Sequence, residues 1–257
     1  MNEYNLYDDT VFLTMDRNHV YRAALDGAKK LHVPNVTTIL GMKDKSRAMM
    51  YWQQTCIKEE FEKQFPVGQT FKMDEIQRNR AIDTIASAAD NISRQAREIG
   101  SLTHNYIELR LAGGDAHLPS HEEARNACQA FNNWLGDHDV QVMFTERMCF
   151  SKRHWYCGTT DLVATIDGKL TSLDFKTSKA IYPETFLQVS AYTEALEEEL
   201  GIEIEQRASL RCDKADASYE YLVFPDEHIR DFETFLSLLR LYHFDKQAKK
   251  ELKELAA

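Results

Sequence analysis

A chain of 257 residues with 43% hydrophobic and 28% charged content can bury a sizeable core and is too apolar to be disordered. No run of about 18 apolar residues exists, which excludes a membrane-spanning helix and makes a membrane partner unexpected. The net charge of −10 disfavours indiscriminate attraction to nucleic acid, although whole-chain charge does not govern a local groove.

The acidic opening from Met1 to Asp9 lacks the features of a signal or transit peptide, so a cytoplasmic location is expected. Residues 11–25 alternate weakly and predict an early hairpin that leads into 33–40. Residues 46–65 and 73–112 have helical period and are separated by Pro66-Val67-Gly68-Gln69. The second of these helices carries Arg78, Arg80, Arg94 and Arg97, then Ile99, Leu102, Tyr106 and Leu109 at helical spacing. His104 sits among those apolar residues, where a histidine is most often a satisfied core group. Gly100 one turn earlier shifts that balance, because a mid-helix glycine costs about 1 kcal/mol relative to alanine and points to close backbone approach. Gly113-Gly114-Asp115 and Pro119-Ser120 mark a loop, and 122–135 returns to helical period. Residues 140–150, 156–166 and 170–176 read as three central strands, 183–199 as a helix, 208–212 and 219–224 as two further strands, and 226–255 as a long charged helix.

The most informative stretch runs from Gly158 to Lys176. Asp167-Gly168 between β-branched and apolar runs is a strong hairpin signal, since both turn positions need φ > 0. Pairing Ile166 with Lys169 and counting outward places Asp161 opposite Asp174, with Cβ atoms roughly 5 Å apart. Lys176 shares their face, while Leu162, Ala164, Ile166, Leu173 and Phe175 form the opposite, core-facing side. Two facing like charges destabilise a hairpin, and a divalent cation between them reverses the sign. Asp161 and Asp174 are hard oxygen ligands suited to Mg²⁺ or Mn²⁺, and His104 at the same ion would favour Mn²⁺. Lys176 would hold a nucleophilic water and neutralise developing charge. Downstream, Gln188 and Tyr192 are four apart and project from one helix face. Glu146 ends the strand ahead of the hairpin, and a supporting role and a plain surface charge are equally open for it.

The order Gly100-x-x-x-His104, Glu146, Gly158-x-x-Asp161, Asp174-x-Lys176, Gln188-x-x-x-Tyr192 resembles the RecB-like exonuclease branch of the PD-(D/E)xK nuclease superfamily. The likeness covers about half the chain, from Arg94 to Leu196. Val33-Pro34-Asn35-Val36-Thr37-Thr38-Ile39-Leu40, followed by Trp52, is similar to the Pro-Ser-Val-Thr segment of phage-type members and of the mitochondrial genome maintenance exonuclease. Here asparagine stands in place of the serine. The resemblance implies an α/β fold with a mixed central sheet flanked by helices, in a single nuclease domain over 1–257. Its parts would be a mostly helical N-terminal region (1–93) arching over the cleft, a catalytic core (94–224) and a C-terminal helix (225–257). It implies catalytic roles for Asp161, Asp174, Lys176, Gln188, Tyr192 and Glu146. The implied metal ligands are His104, Asp161, Asp174 and the backbone carbonyl of Phe175, holding Mg²⁺ or Mn²⁺.

The expected activity is a metal-dependent DNA exonuclease acting on single strands or frayed ends, in repair, recombination or phage DNA metabolism. Its setting would be the cytoplasm of a bacterial or phage-infected cell. A structure- or site-specific endonuclease and a DNA-binding protein on a degenerate nuclease fold are the alternatives. Degenerate members usually lose an acid or the lysine, and this chain keeps them. Arg78, Arg80, Arg94, Arg97, Lys152, Arg153 and Trp155 are the DNA-contacting candidates, with packing of Trp155 against the hairpin an equal alternative. The acidic run Glu197-Glu198-Glu199 reads as a solvated face. Cysteines 56, 128, 149, 157 and 212 form no Cys-x-x-Cys pair and read as reduced, mostly buried thiols. None follows Cys212, so the iron–sulfur cluster of some relatives is not expected. No Gly-x-x-x-x-Gly-Lys-Ser/Thr loop occurs, so no ATP is expected, and a helicase or single-strand-binding or recombination protein would be a separate partner.

Overall fold

The computed structural model describes residues 2–256. In chain order it contains β1 (Asn2–Leu6), β2 (Val11–Met15), β3 (Tyr21–Leu25), β4 (Leu31–Val33), α1 (Val36–Leu40), α2 (Ser46–Gln64), α3 (Glu75–Ala86), α4 (Ala88–Leu111) and α5 (Glu122–Asp137). There follow β5 (Val140–Ser151), β6 (Tyr156–Ile166), β7 (Lys169–Lys176), α6 (Glu184–Leu200), β8 (Gln206–Cys212), β9 (Tyr219–Val223) and α7 (His228–Leu255). The fold is therefore mixed α/β, with two sheets and seven helices among the described residues. Among the described residues, no helix is long and apolar enough to cross a membrane.

The chain forms two compact units: Met1–Lys43 with Thr103–Ala257, and Asp44–Leu102. Helix α4 runs through the change of unit without a break, so its periodicity gives no sign of the boundary. The N-terminal region departs from a mostly helical reading. Its first 33 residues hold a four-stranded antiparallel sheet in the order β1-β2-β3-β4. Strands of three to five residues are too short to display much alternation, and only the β2–β3 hairpin was legible.

The second sheet has the order β5-β6-β7-β8-β9, antiparallel except for the parallel pair β7–β8 that α6 connects. The Asp-Gly turn sets its register. Asp167 and Gly168 both have positive φ, and Ile166 pairs with Lys169 and onward to Leu162 with Leu173. Leu162, Ala164, Ile166, Leu173 and Phe175 pack with Phe131 and Trp134 of α5 and with Tyr106 and Ile107. The other face is covered too. Val163 lies among Tyr156, Val36, Ile39, Ala191, Tyr192, Leu196 and Phe235, contributed by α1, α6 and α7 as well as the sheet. The polar centre is thus enclosed between layers rather than set on an open sheet face.

In the second unit, α2 and α3 bury little. Cys56, Ala88 and Ala89 form its small cluster, with Trp52 packed against them. The expected single helix over 73–112 is two, interrupted at Ser87. There the hydroxyl bonds back to the Asp83 carbonyl at 2.7 Å, competing with the helical ladder. All five cysteines are buried.

Candidate functional site

Three strands deliver three carboxylates to one place. The β6–β7 pairing ends at Leu162–Leu173, and just past it Asp161 lies close enough to Asp174 for their charges to interact. On its other side, the pairs Thr145–Leu162 and Arg147–Thr160 flank a step at which Glu146 meets Asp161. Glu146 adopts φ +46, unusual for a residue with a side chain. It is held there by regular pairing on both sides and by Arg147, whose guanidinium reaches Glu199 Oε1 at 2.6 Å. Backbone strain kept in place by its surroundings is a recurrent mark of a functional position.

His104 completes the cluster from α4. Its Nδ1 lies 3.7 Å from Glu146 Oε1 and 4.0 Å from Asp161 Oδ2, and its ring meets Phe175 edge-on. Asp161 Oδ2 accepts the Phe175 backbone N–H at 2.7 Å, which fixes the carboxylate between the strands. Asp174 is buried and does not face its neighbour unshielded. The Lys176 ammonium lies 2.9 Å from Asp174 Oδ1 and 2.7 Å from Oδ2. The same ammonium donates to Gln188 Oε1 at 3.1 Å, and Gln188 Nε2 donates to the Tyr192 hydroxyl at 3.2 Å. Gln188 and Tyr192 share one face of α6, as their spacing predicts.

Electrostatics follow from this enclosure. Burial and the charge of Asp174 push Asp161 up to about 7, against the opposing pull of His104 and Lys176. Burial alone would lower His104, but the neighbouring Glu146 carboxylate and the charges of Asp161 and Asp174 outweigh it and raise the imidazole to about 9. For Lys176, burial works downward while Asp174 and Asp161 work upward, and the net shift is up. Burial holds the Tyr192 hydroxyl well above its ordinary value, so it stays protonated.

His104, Glu146 and Asp161 each offer one ligand atom within 4.8 Å of the others, a donor set able to hold a divalent cation. Glu146 belongs to this group together with His104 and Asp161, and the Asp174 carboxylate is paired with Lys176.

Gly158 acquires a reason that its sequence position did not give. A Cβ there would run into the Tyr192 ring and come within 3.3 Å of Val36 Cγ2. The 33–40 segment is pinned beside it. Cys157 N–H donates to the Pro34 carbonyl at 3.1 Å, and Asn35 bridges Cys157. Asn35 itself caps α1, its Oδ1 accepting the Thr38 N–H at 2.7 Å and the Thr37 hydroxyl at 2.9 Å.

The DNA-contacting candidates divide into two groups. Lys152 and Trp155 are tied to the N-terminal sheet. Lys152 Nζ donates to Thr10 Oγ1 at 3.0 Å and lies over the Tyr7 ring, while Trp155 Nε1 donates to the His32 carbonyl and its ring packs on Phe150. Their turn is six strand residues from Asp161, about 20 Å. Trp155 is half-buried in this packing. Arg153 is exposed in the same turn, with its backbone N–H on Glu198 Oε1. Arg78, Arg80, Arg94 and Arg97 are exposed on α3 and α4, in the other compact unit. The Glu197-Glu198-Glu199 run is not a plain solvated face. Glu197 accepts the Ile204 N–H, Glu198 the Ser151 hydroxyl and Glu199 the Arg147 guanidinium. No protein-family model matches this chain, and no curated protein matches it.

Proposed function

We propose that this protein is a metal-dependent deoxyribonuclease on a PD-(D/E)xK core of the RecB-like branch, acting as an exonuclease on single-stranded DNA or frayed ends. The observation that carries the reading is the convergence of two runs of polar groups, one from Glu146 through His104 to Asp161 and one from Asp174 through Lys176 and Gln188 to Tyr192. Its members come from three strands and two helices, and their order matches the sequence pattern that suggested the family. The docking of the 33–40 segment beside Gly158 and Tyr192 supports the phage-type likeness further.

The donor set fits Mg²⁺ or Mn²⁺. Carboxylates drawn together out of water carry an excess of negative charge, visible in the raised Asp161, and a cation offsets it. His104, Asp161 and Glu146 would hold the ion, with Asp174 and the Phe175 carbonyl beside it. The ion supplies Lewis acidity and lowers the pKa of bound water. Lys176, fixed between Asp174 and Gln188, places a permanent positive charge where a phosphate oxygen gains charge. Tyr192 and Gln188 act on the substrate through the orientation they impose on Lys176. The four exposed arginines would track phosphates, and any helicase or recombination protein would act as a separate partner.

The test is digestion of end-labelled linear and covalently closed circular single-stranded DNA with Mg²⁺ or Mn²⁺. The linear form is expected to be degraded and the circle to survive, with Lys176→Ala inactive on both. Efficient cutting of the circle would replace the exonuclease reading with an endonuclease. DNA binding without any cleavage would leave a binding protein.

A further inference from the structure

A second constellation of ligand-type side chains lies where α6 meets the start of α7. Glu194, Glu197 and His228 each offer one ligand atom within 4.8 Å of the others. Glu194 and Glu197 are one turn apart on α6, and His228 is the first residue of α7. His228 Nε2 is 3.0 Å from Glu194 Oε1, and its Nδ1 is 2.8 Å from Ser190 Oγ. A serine hydroxyl has one proton. That hydroxyl lies 3.2 Å from the His228 carbonyl and 2.8 Å from Nδ1, so it engages the ring on the side away from the acids while Nε2 meets the Glu194 carboxylate. The ring is thereby held with Nε2 turned to the carboxylates. A hydrogen bond from the remote nitrogen is the usual means by which a protein orients a metal-binding imidazole.

The line Ser190–His228–Glu194 also has the outline of a nucleophile with its base. Ser190 is fully buried, however, so no substrate atom can reach the hydroxyl. Cation binding is the chemistry left open. Ligands about 2.1 Å from a common ion are about 3.0 Å apart when adjacent in an octahedron and about 3.4 Å in a tetrahedron. The His228–Glu194 spacing lies at that scale. Glu197 is pinned by the Ile204 N–H at 2.7 Å on Oε1, which fixes the second carboxylate from α6. A second imidazole lies near Glu194. His154 packs edge-on against Phe232, the ring on which His228 stacks, and its charge acts on Glu194.

We propose that Glu194, Glu197 and His228 bind a divalent ion of the Zn²⁺ class, which ties the first turn of α7 to α6. An imidazole among carboxylates tilts the preference toward such an ion and away from Mg²⁺ or Ca²⁺, as His104 tilts the other cluster toward Mn²⁺. The site is distinct in residues from the cluster around Asp161 and does not depend on nuclease activity.

The experiment is calorimetric titration of the whole chain with ZnCl₂ in an Asp161→Asn parent, so that the other cluster is weakened. One equivalent is expected to bind, with a rise in melting temperature that MgCl₂ at the same concentration does not give. Adding His228→Ala should weaken Zn²⁺ binding at least ten-fold and remove the rise. Glu194→Gln keeps the side-chain shape, and it should weaken binding similarly even if the histidine variant folds poorly. Zn²⁺ binding that is absent from the parent, or unchanged by both added substitutions, would overturn the site.

Discussion

Lys176 and Asp174 hold each other's charge in a place partly closed to water, and that pairing decides what substitutions there do. Asp174→Ala leaves an ammonium that is 26% exposed without its counter-ion, so it should cost about 1–3 kcal/mol in urea denaturation as well as abolishing cleavage. Asp161→Asn behaves differently. It keeps an oxygen for the Phe175 N–H but removes one of two facing charges, so metal-free stability should rise by about 0.5 kcal/mol while Mn²⁺ binding weakens. The pH dependence has a definite sign. His104 is raised from 6.5 to about 9, so its contribution to stability is full below pH 6.5 and lost as pH climbs to 9. Asp161 is raised from 3.8 to about 7, so its neutral form stabilises the fold below pH 3.8 and the contribution is lost by pH 7. The metal-free melting temperature should therefore fall between pH 4 and 9, and His104→Ala should flatten the upper half of that curve. Metal binding runs the other way. It needs Asp161 ionised and His104 neutral, so apparent affinity should increase from pH 6 to 9.

At the scale of elements, the hairpin β6–β7 and the helix α6 meet through a glycine. Gly158→Ala puts a methyl group against the Tyr192 ring and Val36. An overpacking cost of about 1–3 kcal/mol is expected, with reduced activity because Tyr192 and Gln188 shift together. A stability loss with unchanged turnover would show that Tyr192 has no part in positioning Lys176. Asn35→Ala should cost about 1 kcal/mol through the lost cap of α1, and Asn35→Ser should recover most of it. The later elements were legible because they repeat at clear periods. The hairpin turn is specified by Asp167-Gly168, and the strand expected over 156–166 is observed at those bounds. The helix expected over 122–135 runs to Asp137. Strand β4 escaped notice because three residues give too few alternations, and the break at Ser87 is a side-chain competition that period cannot reveal.

For the whole molecule, charge is unevenly shared. The unit Asp44–Leu102 carries Arg78, Arg80, Arg94 and Arg97 on exposed helical surface, in a chain whose net charge is −10. If these side chains bind phosphates, Arg78→Glu combined with Arg94→Glu should weaken single-strand binding. The slope of log affinity against log salt should fall by about 0.7 for each lost contact. An unchanged slope would remove the arginines from the DNA path.

The sequence by itself determined the hairpin register, the face shared by Asp161, Asp174 and Lys176, and the Gln188–Tyr192 pair, because each follows from a turn type or a fixed period. Residues far apart in the chain were another matter. That Glu146 stands at ligand distance from His104 depends on a backbone turned to positive φ inside β5, and nothing local announces it. Glu194, Glu197 and His228 share a site only because α7 returns across α6. The acidic run looked solvated until Ser151, Ile204 and Arg147 were brought against it. Local periods are written in neighbouring residues, whereas such encounters arise only when buried faces of distant elements pack.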